Sequence, residues 1–376
     1  MPRHLHLAAF ASAGPVSGSH GGWRHPDASG DLLSAGYYQN LGRLLEEGRF
    51  DMVFLADILA VPDRLGDSLD SQLRYGALGA LRLEPLLVLA IIAGATQHVG
   101  LACTVSTTYA EPFAAARALA TLDHLSNGRA AWNIVTSFQE AEARNFGRVE
   151  QLAREERYDR ADEFMEVTCR LWDSWEDGAL TRDKDTPLFA DPSRVHRIDH
   201  AGRWFDVRGP LNVSRSPQGR PVFVQAGASD RGRDFAARWA EVIFVTPGGP
   251  EAAREFRLDL RARAERFGRS PDHHPDYWHN PPNQSYRSFR FRLFRFQICG
   301  KLVVAGSLSQ IAERSEMELD KVITYSAIGV AGIVLLIFLL DLAAGIFGRQ
   351  LGMDILFILG SAFLLWQGVE TVLELK

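Results

Sequence analysis

The 376-residue chain sets polar side chains where apolar runs end, and that placement is its first chemical signal. Asn133 lies inside the apolar run 130–135, and Thr136 and Ser137 close it, so an amide and two hydroxyls gather at one end of a buried segment. Asp57 ends a second run, 52–56, and Ser106, Thr107, Thr108 and Tyr109 end a third, 99–105. Groups of these types at strand ends line the sites of α/β barrels, or they cap the helix that follows, and spacing alone leaves both readings open. A further junction, Gly227-Ala-Ser-Asp-Arg-Gly, offers Ser229 and free backbone N–H groups at a helix start, an arrangement suited to phosphate. On the charged stretch 151–175, Arg154, Tyr158, Asp159 and Arg160 stand close together, which the i,i+4 ion pairs of a solvated helix also explain.

Such residues need strands to hold them. Parallel strands buried on both faces read as continuous apolar runs, and the carboxyl ends of those strands carry the sites of α/β barrels. The pattern predicts strands at 5–10, 52–56, 99–105, 130–135, 221–226 and 242–245. Helices are predicted between and after them at 37–48, 85–94, 112–125, 151–175 and 250–267, with one more after residue 227. Asn127-Gly128 supplies a left-handed cap to end helix 112–125. The segment 14–30, rich in Gly, Ser, His and Trp, is a long loop of the kind that carries function, and 177–217 reads as an insertion.

A formal charge of −5 and a pI near 6.1 argue against a general nucleic-acid binder, so no nucleic-acid partner is expected. Cys103, Cys169 and Cys299 are odd in number and far apart, which suggests neither a disulfide framework nor a zinc site, and no metal is expected. The first ten residues hold too short an apolar run for a signal peptide, and a reducing, cytoplasmic compartment is the expectation. Neither a Gly-x-Gly-x-x-Gly fingerprint nor a P-loop occurs.

Nine blocks carry a resemblance: Trp23-Arg-His-Pro, Phe54-Leu-Ala-Asp57, Ser106-Thr-Thr-Tyr109, Thr121-Leu-Asp-His-Leu125, Trp132-Asn-Ile-Val-Thr-Ser137, Arg144-Asn-Phe-Gly147, Glu156-Arg-Tyr-Asp-Arg160, Val195-His-Arg-Ile-Asp-His200 and Phe223-Val-Gln-Ala-Gly227. In that order they resemble one group of the bacterial-luciferase-like flavin monooxygenases, that of the nitrilotriacetate and dibenzothiophene-sulfone monooxygenases. The resemblance implies a TIM (β/α)8 barrel, reduced FMN delivered by a separate flavin reductase, and oxidation of a small organic substrate with O2. Carried over by position, it implies flavin contacts from Asp57, Thr104, Tyr158 and Ser229, with Asn133 and Ser137 close to the ring. Arg154 stands where similar proteins carry His, and its guanidinium suits a phosphate. His20 and His25, on the loop expected to cover the flavin, are the candidates for handling a proton.

The resemblance stops near residue 271. The expected architecture is therefore an incomplete barrel over 1–271, a linker with a basic, aromatic segment over 272–321, and two hydrophobic helices within 322–376. The apolar spans 322–347 and 353–372 are long enough to form a transmembrane hairpin. Two readings follow: a reduced-FMN-dependent monooxygenase, or a catalytically inactive truncated barrel anchored in a membrane by that hairpin.

Overall fold

Each apolar run is followed by a helix that returns the chain to the same end of the sheet, so successive strands run parallel. The computed structural model describes residues 6–14, 22–24, 31–63, 68–76, 79–245, 248–269, 292–295 and 303–305. The first half comprises β1 (His6–Ser12), α1 (Ala35–Glu47), β2 (Met52–Ala56), α2 (Asp70–Tyr75), α3 (Pro85–Ala93), β3 (Gly100–Ser106), α4 (Pro112–Leu125) and β4 (Ala130–Val135). Then come α5 (Glu140–Asn145), α6 (Arg154–Trp172), β5 (His200–Ala201), β6 (Asp206–Val207), β7 (Val222–Gln225), α7 (Asp230–Trp239), β8 (Val242–Val245), α8 (Pro250–Arg266), β9 (Arg292–Arg295) and β10 (Val303–Ala305).

The main sheet has the order β10-β1-β2-β3-β4-β7-β8-β9, parallel from β1 through β9, with β10 antiparallel to β1. It differs from the expected six strands at both edges. The basic, aromatic segment supplies β9, which sets Arg292 opposite Val242 and Arg295 opposite Val245. An open edge leaves backbone N–H and C=O groups unpaired, and β9 and β10 pair with those of β8 and β1. The chain divides into two compact units, Met1–Gly306 and Ser307–Lys376. The spans 322–347 and 353–372, and with them the expected membrane hairpin, lie outside the described residues. Among the described residues no helix is long and apolar enough to cross a membrane.

Alternation along the strands sends side chains to two faces. Val53, Leu55, Leu101, Cys103, Trp132, Ile134 and Phe223 pack with residues of the surrounding helices in one large core. Ala8, Met52, Phe54, Ala102, Ala131, Val224 and Val242 point the other way and form the interior cluster. There Phe54 stacks on Phe10 at 5.3 Å and meets Phe244 edge-on at 5.0 Å, so aromatic rings fill the interior layer. Thr104 and Asn133 lie two residues beyond Ala102 and Ala131, on that same face and toward the carboxyl ends.

The cap expected after α4 is present, with Asn127 at φ 55° and Gly128 at φ 81°. The insertion has a framework of its own: β5 and β6 form a two-stranded ribbon, and Glu163 of α6 accepts hydrogen bonds from the N–H groups of Arg203, Trp204 and Phe205. His200 Nε2 lies 3.1 Å from the same carboxylate.

Candidate active site at the carboxyl ends of the strands

Thr104 and Asn133 are opposite each other in the β3–β4 register, and both are buried. Asn133 Nδ2 donates to Thr104 Oγ1 at 2.9 Å, and Thr104 Oγ1 donates to the Leu55 carbonyl at 2.7 Å. The chain of bonds leaves Asn133 Oδ1 buried with no hydrogen-bond partner among the described residues. A buried acceptor without a donor costs about 1–3 kcal/mol, so such an atom is a place where a ligand N–H fits.

The loop ends beside this pair are fixed by polar contacts. Asp57 follows β2 directly and is half-buried. Burial raises its pKa, and the Ile58 N–H and the nearby Arg82 guanidinium pull it part of the way back. Arg82 donates to the Ala56 carbonyl at 2.9 Å. Ser137, two residues past β4, takes the left-handed value φ 51°, rare for a residue with a Cβ. Its Oγ lies 3.0 Å from Ser106 Oγ and 3.3 Å from Glu142 Oε1.

A second polar group forms where β7 leads into α7. Ser229 is the N-cap of α7, and its Oγ accepts the Gly232 N–H at 3.1 Å, which leaves the hydroxyl proton for another acceptor. Gly232 is required by close approach: a Cβ there would lie 2.7 Å from Tyr158 Oη, 3.0 Å from Ser229 Oγ and 3.0 Å from the Gly227 Cα. Tyr158 Oη and Ser229 Oγ thus come together beside Gly232 at a helix N-terminus, donors of the kind that form a phosphate cradle between α6 and α7. Gln225 Oε1 shapes the turn by accepting the Gly227 N–H at 2.6 Å. Tyr158 is buried, with its ring 5.5 Å from Phe235 and the Arg231 guanidinium 5.3 Å above it.

Arg154 is the first residue of α6, exposed, and one helical turn before Tyr158. Thr104 and Asn133 are thus in direct contact, Tyr158 and Ser229 meet across Gly232, and Asp57 and Ser137 follow the ends of β2 and β4. His20 and His25 lie outside the described residues. From the long loop, Gly22–Arg24 is described as a single 3-10 turn, and Trp23 Nε1 donates to the Tyr75 carbonyl at 3.0 Å, over Gly76 at φ 57°. Glu142, Asn145, Arg82 and Gln225 were not singled out in the sequence. Asn145 and Gln225 lie inside two of the nine blocks without an assigned role, and Glu142 has the capping-box spacing Gln139-x-x-Glu142.

The arrangement fits FMN on two counts: an open buried acceptor for the N–H edge of the ring, and two hydroxyls at a helix N-terminus for a phosphate. Among the described residues no group of His, Cys, Asp and Glu could hold a metal ion. Comparison with known proteins gives a family model, luciferase-like monooxygenase, that matches residues 15–281. The chain is 52% identical over 270 residues to the dibenzothiophene-sulfone monooxygenase of Rhodococcus erythropolis (strain XP), a match covering 72% of this chain and 60% of that one. The crystal structure of a long-chain alkane monooxygenase superposes with a TM-score of 0.70 at 42% identity, covering 72% of this chain and 63% of that one. A riboflavin lyase, solved with modified FMN and riboflavin, superposes at 0.67 with 40% identity, over 71% and 60% of the two chains. The chain therefore spans about 60% of the length of such relatives. The family model spans most of the chain and the sequence identity is high, so the chain belongs to the luciferase-like monooxygenase family.

Proposed function

We propose that this chain binds reduced FMN at the carboxyl ends of β2, β3, β4 and β7 and acts with a separate flavin reductase as a monooxygenase on a small organic substrate. The observation that carries this reading is Asn133 Oδ1, a buried acceptor left open at the end of β4. Asn133 would accept an N–H of the ring, while Thr104, bonded to both Asn133 and the Leu55 carbonyl, holds that amide in one orientation. Tyr158, Ser229 and Arg154 would receive the phosphate, and Asp57 and Ser137 would border the ring. Reduced FMN supplies the electrons with which O2 is activated. The protein's share is to bind, orient and keep water away, and the apolar layer of Phe10, Phe54 and Phe244 beneath Thr104 and Asn133 seals the interior side. His20 and His25 remain the proposed proton carriers. Because the first-named relative acts on dibenzothiophene sulfone, aromatic sulfones are the first substrates to try.

The test is oxygen uptake and product formation by the full chain with FMN, NADH and an added flavin reductase. Substrate-dependent product that requires the reductase is the expected result. Product formed from NADH with no reductase, or no product from sulfones, thioethers or polycarboxylic amines, would overturn the reading. The anchored, inactive alternative rests on the spans outside the described residues, and none of the described geometry favours it.

A further inference from the structure

The short helix α5 makes more contacts than its own capping requires. A capping box needs one oxygen of Glu142, and Oε2 serves it by accepting the Gln139 N–H at 3.2 Å. The other oxygen leaves the helix altogether. Oε1 accepts the Leu59 N–H at 3.1 Å, from a loop 83 residues earlier in the chain, and lies 3.3 Å from Ser137 Oγ. Glu142 is buried, at 4% exposure, so these bonds form out of water. One turn on, Asn145 Nδ2 donates to the Leu59 carbonyl at 2.9 Å. Both backbone polar groups of Leu59 are therefore held by α5, two residues after Asp57. The same carboxylate touches Ser137, whose left-handed backbone needs an outside contact to persist.

We propose that Glu142 and Asn145 are positioning residues for the flavin site: they clamp Leu59 from both sides and so fix the loop bearing Asp57 against Ser137. The proposal rests on the flavin-binding reading above. Their role is indirect: each acts through the backbone of Leu59 and, for Glu142, through Ser137. The clamp joins the loop after β2 to the loop after β4, skipping over β3, and sets the distance between two groups expected at opposite borders of the ring. Charge supports it as well. Asp57 is raised first by burial, lowered by the Ile58 N–H and Arg82, and raised again by Glu84 and Glu142, so removing the Glu142 charge lets Asp57 ionise at lower pH.

Three full-length proteins test the clamp: wild type, Glu142→Gln and Asn145→Ala. A glutamine keeps one acceptor oxygen and turns a donor toward the other N–H, so it cannot hold both Leu59 and Gln139. Asn145 is exposed, and its truncation leaves the core intact. Without flavin, hydrogen exchange over residues 57–63 should accelerate in both variants while β3 and β4 keep their protection. In anaerobic titration with reduced FMN, Glu142→Gln should bind about tenfold more weakly and Asn145→Ala about threefold, the loss expected from one charged and one neutral hydrogen bond. The acid limb of binding should move to lower pH in Glu142→Gln alone. Wild-type exchange rates in both variants, or wild-type affinity in both, would overturn the clamp while leaving the flavin reading in place. Failure of the wild type to bind reduced FMN would overturn both, and the exchange data would then record a loop tie with no flavin to position.

Discussion

The two ends of β4 both carry polar groups, and they differ in whether their hydrogen bonds are closed. At the amino end, all five N–H donors of Arg129 are used: Nε by the Ser126 carbonyl at 2.7 Å, Nη1 by the Val99 carbonyl at 2.8 Å and Thr96 Oγ1 at 3.0 Å, Nη2 by the Thr96 and Ala93 carbonyls at 3.0 and 3.1 Å. Beside it the buried Asp123 carboxylate accepts the N–H groups of Ala130 and Gln218. Nothing is left over for a ligand. Toward the carboxyl end, the buried Asn133 keeps an acceptor with no partner among the described residues. Burying polar groups without complete pairing costs stability, and a fold bears that cost where binding recovers it. The guanidinium before β4 is saturated, and the amide inside β4 is not.

The largest expected effect lies at the closed end. Arg129→Ala leaves four carbonyls and a hydroxyl without donors and should lower unfolding free energy by on the order of 3 kcal/mol or more in urea denaturation, with unchanged flavin affinity in the protein that remains folded. Next comes Gly232→Ala, whose new Cβ falls 2.7 Å from Tyr158 Oη. It should weaken reduced-FMN binding by tenfold or more, roughly 1.4 kcal/mol, at a stability cost of about 1–3 kcal/mol for overpacking. Asn133→Leu inverts the pattern of Arg129→Ala. Removing an unpaired buried acceptor offsets the lost bond to Thr104, so stability should hold within about 1 kcal/mol while flavin affinity falls roughly tenfold. Calorimetric titration and urea midpoints on one preparation decide whether the two properties separate in this way.

The smallest effect concerns the insertion. Burial pushes the Glu163 carboxyl up, but hydrogen bonds from His200 and from the N–H groups of Trp204 and Phe205 outweigh it, and its pKa is lowered from 4.5. A carboxylate with a depressed folded pKa contributes stability that is complete above its unfolded pKa and is lost as pH falls through the folded one. Stability should therefore decline below about pH 4.5, and Glu163→Gln should flatten that decline. An unchanged slope in acid denaturation would show that Glu163 does not link the insertion to α6.

The strands β2, β3, β4, β7 and β8 were legible because parallel strands are apolar throughout and need no partner to be recognised: 52–56, 130–135 and 242–245 match the observed bounds. The Asn127-Gly128 cap was equally plain, since few residues tolerate positive φ. Short elements were not. The helices α2 and α5 have six residues each, too few for a hydrophobic period to register. β9 falls in the stretch expected to be a linker with a basic, aromatic segment, because its alternation fits any strand with one exposed face; its pairing with β8 depends on an edge distant in sequence. In the site, Asn133, Ser137 and Ser229 stood out as polar residues in apolar or glycine-rich surroundings. Glu142 did not, because a glutamate three residues after Gln139 looks like an ordinary cap until Leu59 is seen against it.

The most direct test of the open-end account is anaerobic titration of the wild type and of the double variant Tyr158→Phe/Ser229→Ala with reduced FMN, followed by flavin fluorescence. The account predicts saturable one-to-one binding by the wild type and binding weaker by about tenfold or more in the variant, two phosphate-directed hydroxyls having been removed, with a stability loss of about 1 kcal/mol from the missing α7 cap. Equal affinity in the two proteins would contradict it and would place the flavin somewhere other than the cradle between α6 and α7.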